Sequence, residues 1–437
     1  MVRKTTIALI VLGFVVACKP KYEAPDFSAG DIDPTRFVMI GGSQTAGYMD
    51  DALTAYGQEN SLANLIAGQL AEVGGGAFNQ PLVSESSVGV SMSGLSVLQL
   101  GYKTDCEGVT SLSPVRRSAS GDLTIWSEQL YSSNSHFGNF GIPGIKLSDY
   151  QSVGYATTNA FYGRMASGAS ASVVSDAIAE NPTFFALYAG LDEVIAYAKS
   201  GATGAPLVSA QEFSQTYGSI IQSLTANGAK GVISTLPEVT EMPYFTTIPS
   251  NGLALTAADQ SNLDLLNNIY NPLGYFFHIG NNPFMIVDST ANDFFVRQTL
   301  PGERLLLSIP LDSVKCYQMG VLYPFRDEFV LDQLELNVLR AQIDAYNQEI
   351  ISLADQYDLA LVRADQFYSK LTDGFAYNGI NMSAKFVSGG AYSLDGLQLN
   401  PKGNALLANE YIKAINTTYH ARIPQLNAVE LNGAIFP

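Results

Sequence analysis

The chain is expected to fold as a three-layer α/β/α sandwich around a central parallel sheet, with two long insertions. Short, largely apolar runs at 37–40, 183–189, 231–236 and 359–362 read as strands buried on both faces. Helical patterns follow or separate them at 60–72, 193–199, 210–227 and 331–357. Strand–helix–strand alternation argues for parallel strands covered on both sides. Two stretches break the rhythm: about 80–137, rich in Ser and Gly, and about 246–321, a mixture of short strand-like runs and turns. Both read as insertions elaborating one folded unit over 35–437, in a chain of 437 residues, long enough for a well-buried core.

The opening, MVRKTTIALIVLGFVVAC, places Arg3 and Lys4 before an apolar run at 7–16. That run is too short to span a bilayer and reads as a cleaved signal over 1–17. Small residues directly before Cys18 look like a bacterial lipobox, in which the thiol carries acyl chains such as palmitate. Residues 18–34 would then be the lipidated cysteine and a polar, proline-containing tether. The expected location is the outer membrane, lipid-anchored, at the cell surface or the periplasmic face. The formal charge is −17, and no basic run exists to neutralise phosphates, so nucleic-acid binding is not expected. Cys106 and Cys316 are the cysteines left over; in an exported protein they form either one disulfide or two buried thiols. The histidines are His136, His278 and His420, without the company of a zinc site, and neither metal nor cofactor is expected.

Candidate chemistry lies in four blocks. The first strand runs into Gly41-Gly42-Ser43, a glycine turn that presents a hydroxyl beyond the strand's C-terminal end, where open α/β sheets bind ligands. Asn139-Phe140-Gly141-Ile142-Pro143-Gly144 supplies glycine N–H groups able to face a developing negative charge, although Pro143-Gly144 also reads as a plain turn. The strand at 183–189 ends at Gly190-Leu191-Asp192-Glu193. Last comes Asp395-Gly396-Leu397-Gln398, before a helix that Asn400 and Pro401 are well chosen to start.

Taken in this order, the blocks resemble those of the SGNH (GDSL-type) hydrolase superfamily, in particular its larger lipoproteins from Bacteroidota-like bacteria. The resemblance runs from the tether to the terminal helix and implies a flavodoxin-like sandwich. It places Ser43 on the nucleophile, Gly144 on the oxyanion glycine and Asp395 on the acid that orients the base. Three positions depart: Gly42 stands for the Asp before the serine, Asp192 for the oxyanion Asn, and Gln398 for the base His.

Each departure has a chemical consequence. A serine hydroxyl needs a neighbouring base to take its proton, and an amide holds none at ordinary pH. An ionised Asp192 would repel the oxyanion that an amide N–H should hold. The sequence therefore predicts a hydrolase scaffold without its chemistry, binding a partner protein of the outer membrane or an acyl or glycan ligand. The competing expectation is a working esterase with a displaced base, His136, which lies three residues before Asn139. A further expectation groups Ser43, Asp192, Asp395 and Gln398 as oxygen ligands for a hard cation. Aromatic runs at Tyr244-Phe245 and Tyr275-Phe276-Phe277 read as core by default, or as an exposed patch for a partner or an acyl chain.

Overall fold

The computed structural model describes residues 26–132 and 134–434, so the expected signal segment and Cys18 lie outside the described residues. Five parallel strands make the central sheet: β1 (Phe37–Gly41), β2 (Asn139–Gly141), β3 (Phe184–Tyr188), β4 (Lys230–Ser234) and β5 (Ala360–Val362). Their spatial order is β5-β4-β3-β1-β2, the flavodoxin-like winding. Every residue of β1 and β3 is buried. That explains why their sequences show no polar–apolar alternation: helices cover both faces.

One helical layer holds Leu62–Ala71, Ala364–Asp373 and Pro401–Thr418; the other holds Val173–Ala179, Ala210–Thr225 and Gln333–Gln356. The helix ends follow from local chemistry. Asp332 and Glu335 form a reciprocal capping box at the start of Gln333–Gln356, each accepting a backbone N–H at 2.8 Å. Asn400 caps the terminal helix by accepting from the Gly403 N–H at 3.0 Å, and Pro401 occupies its first turn. Leu407, Tyr411 and Ile415 on that helix are fully buried.

Strand β2 is an element the sequence reading did not assign: it took the block 139–144 for its glycine N–H groups, with Pro143-Gly144 as a turn. With three residues it is too short to show any periodicity. It is a strand because it pairs in register with β1, Met39 opposite Asn139 and Gly41 opposite Gly141. Asn139 also anchors the next turn, its Nδ2 donating to the Thr45 carbonyl at 3.0 Å.

The first insertion projects a hairpin, Leu98–Thr104 paired antiparallel with Thr110–Arg116. The second builds small cores of its own, one around Leu266, Tyr270 and Met285, another around Phe284, Leu305 and Phe325. Tyr244, Phe245 and Phe277 are buried, whereas Phe276 is exposed. No helix among the described residues is long and apolar enough to cross a membrane.

The insertions are joined at their tips. Cys106, in the hairpin turn, is disulfide-bonded to Cys316 in the helix Leu311–Tyr317, with Cα atoms 6.4 Å apart. Lys103–Asp312 at 3.0 Å and Lys315–Asp105 at 2.6 Å flank the bond. Exposed ion pairs of this kind add little, whereas the covalent link spans 210 residues of sequence and restricts the unfolded chain. Replacing both cysteines with serine is expected to lower the unfolding free energy by about 2–4 kcal/mol. The hairpin should be cut first in limited proteolysis. Unchanged denaturant midpoints with and without reductant would contradict this.

Candidate functional site

The strand order reverses between β1 and β3, and the register places Gly41 beside Tyr188 on one side and Gly141 on the other. The three C-terminal ends are therefore level. Ser43 follows β1 and opens the short helix Ser43–Ala46; Gly144 follows β2; Asp192 follows β3 in the first turn of the helix Leu191–Lys199. Parallel strands deliver all three groups to one crevice at the topological switch point.

Their contacts converge on one atom. Asp192 Oδ2 accepts from the Ser43 hydroxyl at 2.6 Å, from the Ser43 N–H at 2.8 Å and from the Gly144 N–H at 2.7 Å. The Gly144 N–H also lies 3.3 Å from Ser43 Oγ. Gly144 reaches this position with a φ of +76°, open to glycine without strain, and Met92 lies directly over it. The carboxylate oxygen thus sits where two backbone N–H donors would receive the oxygen of a tetrahedral intermediate.

Burial pushes the Asp192 carboxyl above the usual carboxylate range, opposed by the hydrogen bonds from Ser43 and Gly144 and by the charge of Lys199. The first turn of a helix also favours a carboxylate there. Gly42 belongs to the same arrangement: a Cβ at that position would lie 2.7 Å from both Cγ and Oδ2 of Asp192. Two of the three departures from the hydrolase pattern are therefore one contact, because the carboxylate at 192 needs the space left open at 42.

Asp395 is spent on backbone. Its Oδ1 accepts from the Leu397 and Gln398 N–H groups at 2.8 and 2.9 Å, and its Oδ2 from the Asp51 N–H at 3.1 Å. Gln398 lines the crevice with a buried side chain whose Oε1 has no hydrogen-bond partner. The loop is held by the Gln398 backbone, its carbonyl accepting from the Ser393 N–H at 2.9 Å. No imidazole lines the crevice. His136 lies before β2, at the opposite edge of the sheet, with an exposed ring 2.8 Å from Glu180. His420 pairs with Asp31 at 2.8 Å. The expectation of His136 as a displaced base is thereby corrected: three residues before a strand's start is the wrong end of a parallel sheet. The cation grouping also fails, since Asp192 Oδ2 and both Asp395 oxygens already accept N–H or O–H donors. Among the described residues, no group of three His, Cys, Asp or Glu side chains could hold a metal ion.

The cleft beside Ser43 measures about 350 Å³. Besides the residues above, its walls include Tyr48, Asp51, Met92, Ile195, Lys199 and Leu397. Sequence reasoning missed these. Ile195 and Lys199 could have been found, because they share a helix face with Asp192 at three- and seven-residue spacing. Tyr48 and Asp51 come from a loop zipped to the Asp395 loop: the Asp50 N–H donates to Ser393 Oγ at 3.1 Å, and Asp50 Oδ1 accepts from the Leu394 N–H at 2.7 Å. Burial pushes the Asp50 carboxyl up to about 7.

No protein-family model matches the chain, and no curated protein matches it. Solved structures similar to it include an alpha/beta hydrolase enzyme from the metagenome of Lake Arreo, at 11% identity and a TM-score of 0.36, covering 89% of this chain and 97% of that one. A lipase/acylhydrolase from Enterococcus faecalis has 12% identity, a TM-score of 0.34, and coverage of 89% and 98%. A catalytic mutant of an acetylxylan esterase from Geobacillus stearothermophilus has 11% identity, a TM-score of 0.36, and coverage of 87% and 93%.

Two outcomes follow from the site geometry. Gly42→Ala is expected to cost about 1–3 kcal/mol of unfolding free energy, and less in an Asp192→Ala background, in a double-mutant cycle. Additive costs would separate the two positions. For Asp50, the folded state keeps a proton that the unfolded state releases near pH 4, so stability should fall as pH rises from about 4 through about 7. Urea unfolding across that range should show a shallower fall for Asp50→Asn.

Proposed function

We propose that the chain is an SGNH hydrolase-like protein that binds a ligand without hydrolysing it, held to the outer membrane by lipid on Cys18. One observation carries the non-catalytic half: Asp192 Oδ2 fills the position between the Ser43 and Gly144 N–H groups. A substrate carbonyl oxygen would have to displace that oxygen, and the developing oxyanion would then face a carboxylate. Removing one oxyanion donor elsewhere costs roughly 3–4 kcal/mol. Here both backbone donors are engaged. With Gln398 in place of an imidazole, the residual rate over water would be at most about 10³–10⁴-fold.

The short hydrogen bond from the Ser43 hydroxyl to Asp192 favours a second reading, a serine–carboxylate pair in which Asp192 is the base. The same oxygen cannot both take the proton from Oγ and leave the anion site free, which places the binding reading first.

Turnover of a chromogenic short-chain ester should be the same for the protein and for Ser43→Ala. Ser43-dependent turnover well above background would replace the binding reading with the esterase. Gln398→His combined with Asp192→Asn is expected to introduce weak Ser43-dependent activity, read in the same assay.

A further inference from the structure

We propose that the cleft beside Ser43 takes an aliphatic carboxylate, its head on the Lys199 ammonium and Gln398 Nε2 and its stem along Met92, Ile195 and Leu397. This deepens the binding reading and rests on it. Accessibility decides which polar groups of the wall a ligand can meet. Asp192 Oδ1 and Gln398 Oε1 are sealed inside the protein, so neither acceptor faces the cleft. The other acceptors of the wall are taken. Asp192 Oδ2 has three donors, and Asp395 accepts three backbone N–H groups. Asp51 accepts from the Tyr48 hydroxyl at 3.0 Å and pairs with Arg116. The Ser43 hydroxyl donates to Asp192, and that of Ser200 to the Tyr197 carbonyl at 2.7 Å.

Two donors of the wall are in the opposite condition. Lys199 is the one cation among the lining residues and is half-buried. Its ammonium lies 5.6 Å from the centroid of the Tyr244 ring and has no hydrogen-bond acceptor among the described residues. Gln398 Nε2 likewise has no acceptor among them, and it is not sealed off as Oε1 is. Free donors, one of them charged, select a head made of acceptors. A carboxylate offers two oxygens and the charge opposite to Lys199; an alcohol offers one neutral oxygen, and an ammonium none. Asp192 carries the opposing charge. It precedes Lys199 by two helical turns, about 10 Å along the axis, whereas a bound head touches the ammonium. Coulomb energy falls with distance, so the attraction at contact exceeds the repulsion from Asp192. Burial of the Asp192 carboxyl disfavours its charged form and weakens that repulsion further. Met92, Ile195 and Leu397 give the stem its place, and about 350 Å³ lies within the range of small-molecule sites.

Calorimetric titration of the full chain with octanoate, 1-octanol and octylammonium tests this. Octanoate should saturate one site at least tenfold more tightly than octanol, with no saturable binding of octylammonium. A lysine in the last turn of a helix also suits the helix dipole, so the variants must separate binding from a structural role. Lys199→Met keeps the stem and removes the charge; it should weaken octanoate tenfold or more and leave octanol within about twofold. Lys199→Arg should keep octanoate within about threefold of wild type, and Gln398→Leu should weaken it severalfold. Circular dichroism and cooperative unfolding check that each variant is folded. Equal affinity for octanoate and octanol, tighter binding of octylammonium, or absence of saturable octanoate binding overturns the proposal. So does unchanged octanoate binding in folded Lys199→Met, or an equal loss for octanoate and octanol there. Ester turnover measured in parallel reads the non-catalytic assignment separately: Ser43-dependent hydrolysis would remove that assignment without altering the titration result.

Discussion

The site is organised by one carboxylate oxygen. Asp192 Oδ2 gathers the Ser43 hydroxyl, the Ser43 N–H and the Gly144 N–H, and so ties together the turns after three neighbouring strands. Each turn is shaped to permit it. Gly42 leaves the space the carboxyl group occupies, Gly144 adopts a positive φ to aim its N–H inward, and the helix Leu191–Lys199 offers its first turn to the charge. Desolvation opposes the arrangement by raising the acid's pKa, and hydrogen bonds from Ser43 and Gly144 act against it.

The same geometry gives the cleft its remaining chemistry. The Ser43 and Gly144 N–H groups are bonded within the protein, and Asp192 Oδ1 and Gln398 Oε1 are buried without a donor. The sheet does not depend on these groups, because residues beyond strand ends can change while the register that positions them stays put.

Around the cleft, loops distant in sequence fasten to one another through backbone and short polar side chains. Asp50 and Asp51 hold the 393–398 loop, Gln44 bonds the Leu399 N–H at 3.2 Å and the Asn404 side chain, and the two insertions share a disulfide. Asp395 illustrates how such fastening alters a residue's role. An acid that could orient a base instead receives three backbone N–H groups, and it closes the turn whether or not a base follows.

Much was legible in the chain itself. Four of the five central strands announce themselves as apolar runs, because strands buried on both faces must be apolar throughout. The capped helices are equally plain, since Asn400-Pro401 and Asp332…Glu335 satisfy terminal N–H groups with local side chains. Ser43, Gly144, Asp192, Asp395 and Gln398 were found as blocks, and Gln398 stood out because an amide cannot hold a proton. Tertiary structure alone decided the rest. Three-residue β2 exists through pairing with β1, and His136 is removed from the site by strand direction. That Gly42 and Asp192 form one contact, and that Asp192 Oδ2 accepts from the Ser43 N–H, depends on distances across 149 residues of sequence. Local patterns encode burial and capping because those are met by near neighbours; which atom meets which across the switch point is set only when the strands align.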